Sequence, residues 1–231
     1  MAAGHIRVIE KGRCWSVWHP EGNVMLKLFH VPWTRSTRII WLCEELGVPL
    51  DIETVSFSPE FRMSPEWLTK SPVGKVPVLE DGELSMFESG AMVQYILDRY
   101  GNGRLQPMAG TPEHALYMQW SWFGEATFAR PLGEIVNHRR NFDPEIPAVV
   151  EEMANRALLC VKAVNDAIEG KEFLLGEFTA ADIMVGYSLM LCDQLMLKHS
   201  YEEANQYWTR LRRMKGAVKA FGRLNPGSLS Q

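Results

Sequence analysis

Three short constellations in the first hundred residues carry groups able to handle an anion. Glu88 and Ser89 fall where a strand-like run gives way to a helix. Free backbone N–H groups and the helix dipole favour a carboxylate at such a place. Ser89 is also a good N-cap for that helix, and the two roles are compatible. Thr34 and Ser36 put two hydroxyls beside Arg35 where a loop enters an earlier helix, with capping as the plain alternative for Thr34. Lys75 offers a point charge or is simply a solvated loop lysine, and Pro77, after Val76, opens a strand. Other chemistries find no support. Cys14, Cys43, Cys160 and Cys192 form no CxxC or other short metal-type spacing, and none of His30, His114, His138 or His199 pairs at ligand spacing. Neither a disulfide framework nor a metal site is expected.

The elements that position these groups follow from periodicity. Leu26, Leu28 and Phe29 make a short strand, a loop runs from His30 to Trp33, and Ile39, Leu42, Cys43 and Leu46 then recur at helical spacing up to a stop at Gly47. A second strand spans about Leu50 to Val55, and Ser64-Pro65-Glu66 caps a short helix to about Lys70. Lys75–Leu79 and Leu84–Phe87 read as a hairpin across Asp81-Gly82. The helix after Ser89, with Met92, Ile96 and Leu97 on its apolar face, stops at Gly101. The order βαβαββα predicts an α/β sandwich. From Thr111-Pro112 onward only helical periodicity appears, so the second half is expected to be all-α.

With 231 residues, the chain has room for two modest domains, each with its own core. The divisions read as an extension over 1–24, an α/β domain over 25–101, a linker over 102–110 and a helical domain over 111–231. Because the strand signal begins directly after it, Met25 is read as an alternative start. A formal net charge of −4 gives no general attraction to nucleic acid or anionic lipid, so a small soluble ligand is the expected partner. The cluster Arg210, Arg212, Arg213, Lys215, Lys219 and Arg223 is assigned to one final helix, where it complements the dipole. His138-Arg139-Arg140 reads as a solvated turn. No apolar run reaches membrane-spanning length and no secretory leader is evident, so no membrane partner and a reducing cytoplasmic setting are expected.

The segments TRSTRIIWLCEELGVP, SPVGKVPVLEDGELSMFESGAMVQYILDRYG and FTAADIMVG, in that order, resemble glutathione transferases of the bacterial and fungal serine-type groups, over about residues 25 to 225. The resemblance implies a thioredoxin-like N-terminal domain that holds glutathione as co-substrate, an all-α C-terminal domain that shapes a pocket for a hydrophobic electrophile, and a homodimer. It implies a cis peptide at Val76-Pro77 that turns backbone groups outward, so that the cysteinyl backbone of glutathione pairs with Val76 as a short added strand. Ser89 then takes the γ-glutamyl carboxylate, Glu88 its ammonium and Lys75 the glycyl carboxylate.

Thr34 occupies the position of the family's catalytic serine. A free thiol titrates near pH ~8.5, so the site must stabilise the thiolate, which is the nucleophile. The Thr34 hydroxyl, the helix N-terminus and Arg35 would do so together. Thr34 departs from the usual serine by one methyl group, which restricts its rotamers. Ser36 is the second hydroxyl in reach, and Cys43, on the apolar helix face, is expected to be buried and inert. In the helical half, Thr179 and Asp182 resemble the family's capping box, a structural role worth roughly 1 kcal/mol. Trp120, Phe123 and Phe128 are placed on the first long helix of that half, lining a pocket, packing in the core or forming a dimer contact. The expected function is conjugation of glutathione to an electrophile. The alternatives are glutathione-dependent peroxide reduction, dehalogenation or isomerisation, and a non-catalytic binding or regulatory protein of the same fold.

Overall fold

A computed structural model describes residues 7–10, 13–16 and 26–222. The reading of Met25 as a start, together with Trp18 and Arg223 and the side chains of Cys14 and Trp15, lies outside the described residues. Within the extension, β1 (Arg7–Glu10) pairs antiparallel with β2 (Arg13–Ser16).

The main sheet is built from β3 (Leu26–His30), β4 (Leu50–Thr54), β5 (Val78–Asp81) and β6 (Leu84–Phe87), in the order β4-β3-β5-β6. Strand β4 runs parallel to β3, with Leu26 opposite Leu50, so the chain must cross over between them, and α1 (Thr37–Leu46) is that crossover. Its Gly47 is left-handed at φ 69°, which ends the helix without a Cβ penalty. Strands β5 and β6 form the expected hairpin. Alternation along β3 sends Leu26 and Leu28 to one face, where Ile39, Leu42, Cys43 and Leu46 of α1 pack with Met92, Ile96 and Leu97 of α4 (Ser89–Tyr100). Phe29 faces the other way, against Trp67 of α3 (Pro65–Lys70), with ring centroids 5.7 Å apart. The single-turn helix α2 (Pro59–Arg62), capped by Ser58, precedes α3 and is too short to leave a periodic signal.

The helical half opens with α5 (Pro112–Trp122), capped by the Thr111 side chain, which accepts from the His114 N–H at 3.2 Å. It was expected to continue as one helix. Instead it widens into a π-helical segment, Phe123–Phe128, before α6 (Ala129–Asn141). Helices α7 (Pro147–Ile168) and α8 (Ala180–Gln194) follow, and α8 is buried along almost its whole length. Gly124 explains the close approach in the π segment: a Cβ there would lie 2.9 Å from the Met184 backbone of α8. Phe128 is buried in the core, whereas Trp120 and Phe123 are half-buried against it and pack edge-to-face at 5.1 Å.

Two surface expectations are corrected. The basic cluster does not lie on one helix: Arg210 is on α9 (Glu202–Leu211), while Lys215 and Lys219 are on α10 (Lys215–Phe221). Lys215 and Lys219 both pair with Glu44 of α1, at 2.7 and 2.6 Å, and hold its carboxyl down at about 2. Ion pairing to another helix, rather than the dipole, accounts for them. His138-Arg139-Arg140 forms the last turn of α6, not a solvated loop, and His138 Nε2 accepts from the Ile146 N–H at 2.8 Å. Among the described residues no helix is long and apolar enough to cross a membrane, and no group of His, Cys, Asp or Glu is placed to hold a metal.

Candidate active site

The turn entering α1, the loop before β5 and the junction of β6 with α4 converge on one cavity of about 190 Å3. Its walls include Arg35, Ser71, Val73, Lys75, Val76, Pro77, Phe87, Glu88, Ser89 and Glu125. Six of the seven residues singled out from the sequence are therefore together, although Lys75 and Ser89 come from opposite ends of a hairpin. The Val76–Pro77 peptide is cis. The preceding loop is fixed from inside: buried Ser71 accepts from the Lys75 N–H at 2.9 Å, and Arg62 donates to the Gly74 carbonyl at 2.9 Å. Gly74 is left-handed at φ 60°, and a Cβ there would meet the Arg62 carbonyl at 2.6 Å.

The N-cap position expected of Ser89 falls to Glu88. Glu88 is the N-cap residue of α4, with a φ of 78° that is uncommon for a side-chain-bearing residue, and its side chain makes no capping bond. Ser89 is the first helical residue. Backbone strain of this kind persists where the surroundings hold it, often at ligand sites. It leaves Glu88 exposed at the rim and Ser89 buried at the floor.

The residue that sequence reasoning missed is Glu125, on the π segment of the helical half. Its carboxylate pairs with Arg35 at 3.0 Å and, more closely, with Arg38. Arg38 is wholly buried between the sheet domain and the helices. It donates to Ser89 Oγ at 3.2 Å and to the Gly124 carbonyl at 3.4 Å, and stacks over the Tyr187 ring at 4.6 Å. Burial, with Arg35 nearby, pulls the guanidinium down to about 9, so it remains charged at neutral pH. Two arginines against one carboxylate leave the cavity floor net positive beneath Ser89. A floor of that sign suits a carboxylate ligand. A legible signal existed: Arg38 precedes Leu42 by four residues and so lies on the buried face of α1, where a charge requires a partner.

Thr34 is the expected site residue that the cavity walls do not include. It sits three residues before α1 rather than at its start, half-buried, and its hydroxyl donates to the Val31 carbonyl at 2.8 Å while lying 2.7 Å from Ser36 Oγ. That hydroxyl makes no bond to a helix N–H in this arrangement, which removes simple side-chain capping as its role. Ser36 is fully buried and the N-cap residue of α1 by position, without a side-chain capping bond. Cys43 is buried, and burial pushes its thiol up to about 12.

Comparison with known proteins adds the following likenesses. Residues 24–98 match the family model described as glutathione S-transferase, N-terminal domain. Glutathione S-transferase 3 of Schizosaccharomyces pombe is 25% identical over 200 residues, covering 81% of this chain and 82% of that protein. Elongation factor 1-gamma of Prunus avium is 27% identical over 174 residues, covering 70% of this chain but only 40% of the relative. Among solved structures, glutathione transferase URE2P6 from Phanerochaete chrysosporium, in complex with oxidized glutathione, superposes with a TM-score of 0.78 at 20% identity, over 86% of this chain and 96% of that one. Residues 24–98 are thus similar to a glutathione S-transferase N-terminal domain, and the chain has the fold of the glutathione transferase it superposes on: a thioredoxin-like sheet domain followed by helices.

Proposed function

We propose that the protein is a glutathione transferase that binds glutathione in the cavity over Ser89 and presents its thiolate to a hydrophobic electrophile. The observation that carries this reading is the convergence of Lys75, Val76, Pro77, Glu88 and Ser89 on one cavity with a net positive floor. In this reading the γ-glutamyl carboxylate accepts from the Ser89 hydroxyl and amide, its ammonium pairs with Glu88, and the cysteinyl backbone pairs with Val76. Lys75 takes the glycyl carboxylate. The domain division at 25–101 and 111–231 belongs to the same reading, as does the homodimer, for which exposed Leu116 and Trp122 of α5 are apolar surface an interface would cover.

For the chemistry, Thr34 stands at the serine position of the serine-type groups and donates to the sulfur, while Arg35 adds positive charge at the cavity wall. The thiolate lone pair then forms a carbon–sulfur bond, and the displaced group leaves with its electron pair. Peroxide reduction, dehalogenation and isomerisation would draw on the same thiolate. A non-catalytic binding protein is the second reading. It is favoured by the Thr34 hydroxyl being turned to Val31 and by Arg35 being paired with Glu125.

Ultraviolet titration of bound glutathione separates the two. The thiol should titrate well below its free value in the wild type, and Thr34→Ala should raise it by about one to two pKa units, the equivalent of one lost bond to a charged group. A wild-type thiol at its ordinary solution value would remove the catalytic reading and leave binding. A panel of electrophiles and peroxides then sorts the reactions.

A further inference from the structure

The turn between β3 and α1 holds a chain of short contacts running from the sheet to Thr34. His30, the last residue of β3, is buried, and its Nδ1 lies 2.7 Å from Ser36 Oγ. Ser36 Oγ lies 2.7 Å from Thr34 Oγ1, which lies 2.8 Å from the Val31 carbonyl oxygen. Ser36 reaches the same carbonyl at a longer 3.1 Å. Protons for these contacts are few: each hydroxyl has one, and the carbonyl has none. Burial holds the imidazole below its ordinary value, so at neutral pH it too has one N–H. A single arrangement gives a proton to each of the three shortest contacts. His30 Nδ1–H donates to Ser36, the Ser36 hydroxyl to Thr34, and the Thr34 hydroxyl to Val31. Every other arrangement leaves lone pairs facing each other across one of them.

The geometry points to a hydrogen-bond relay, His30 to Ser36 to Thr34, that sets the direction in which the Thr34 hydroxyl donates, with His30 and Ser36 as positioning residues. The relay rests on the reading of Thr34 as the donor to glutathione sulfur. In the free protein the Thr34 proton is turned to Val31. Rotation about the Thr34 Cβ–Oγ1 bond swings that proton to an arriving thiolate, exchanging the bond to the Val31 carbonyl for one to the anion. Thr34 continues to accept from Ser36, so its own proton is the one left to give. Successive donations in one direction polarise each other, which makes Thr34 a better donor to an anion than an isolated hydroxyl. Ser36, fully buried, thereby acts through Thr34 rather than as its substitute.

The test is the thiol titration of glutathione bound to the full chain, in Thr34→Ala, Ser36→Ala, His30→Phe and His30→Asn, with glutathione affinity measured alongside. Ser36→Ala and His30→Phe should each raise the bound thiol pKa by roughly a third of the Thr34→Ala shift, while affinity measured at a pH low enough to keep the thiol protonated stays unchanged. His30→Asn, which keeps an N–H near the Nδ1 position, should return it toward the wild-type value. If Ser36→Ala and His30→Phe keep the wild-type thiol pKa while Thr34→Ala raises it, the relay is overturned and Thr34 acts alone. An unmoved thiol in Thr34→Ala would overturn the relay together with the sulfur contact it serves. Should His30→Phe fail to fold, Ser36→Ala, which deletes one oxygen, carries the same decision.

Discussion

Asp182→Ala is expected to destabilise the protein by about 4 kcal/mol, several times the loss of about 1 kcal/mol expected for Thr179→Ala. The reciprocal capping box anticipated from the sequence is present at the start of α8. But capping is the smaller part of what Asp182 does. Its buried carboxylate accepts from the Thr179 N–H at 2.8 Å, the Thr179 hydroxyl at 3.2 Å, the Leu174 N–H at 3.0 Å and the Tyr207 hydroxyl at 2.6 Å. It therefore ties the loop before α8, the helix itself and α9 to one side chain. Removing it leaves several buried donors without acceptors, each worth about 1–3 kcal/mol. Asp182→Asn, which retains one carbonyl oxygen, should fall between the two. Denaturant unfolding measures all three, and a loss in Asp182→Ala no larger than in Thr179→Ala would reduce Asp182 to a cap.

The second large effect belongs to Glu125. Glu125→Leu strands the wholly buried Arg38 charge and is expected to lower stability by about 3–5 kcal/mol. The asymmetry is diagnostic. Arg38→Met should be milder, because it removes the charge that needs compensation and Glu125 keeps Arg35 as a partner. Equal losses in both would mean that packing, not charge pairing, dominates at this junction. Glutathione should protect the wild type against thermal unfolding, since a ligand that binds only the folded state stabilises by mass action.

The sheet domain was open to inspection in the sequence because its signals are local. Strand β3, the apolar face of α1 and the Ser64-Pro65 cap, like Thr111-Pro112 at the start of the helical half, each announce themselves within a few residues, and the structure has them in those places; the hairpin is present, but its first strand runs Val78–Asp81 rather than Lys75–Leu79 and turns at Gly82-Glu83. Helix starts were read three residues early at α1. There, a run of i to i+3 bonds from Thr34 to Ile39 precedes regular helix, and hydrophobic period does not distinguish such a turn from a first helical turn. The π segment escaped for a related reason: its residues keep a helical alternation of apolar and polar types, and the widening coincides with the close approach of Met184 to Gly124 from a distant helix.

At the site, residues carried on the sheet domain were readable, whereas Glu125 was not. It lies 87 residues from Arg38 in sequence, so no spacing rule connects them. The link is legible only in reverse, from an arginine on a face that should be apolar. The contacts of Thr34 were likewise beyond a residue string, since they depend on the fold of the turn, which sets Ser36 2.7 Å from Thr34 and His30 2.7 Å behind Ser36.

Calorimetric titration of glutathione into the wild-type protein and into Ser89→Ala addresses the central claim most directly. The account predicts binding to the wild type and a loss of about tenfold to a hundredfold in Ser89→Ala, the value of one hydrogen bond to a carboxylate. No binding to the wild type, or equal affinity in the two proteins, would contradict it.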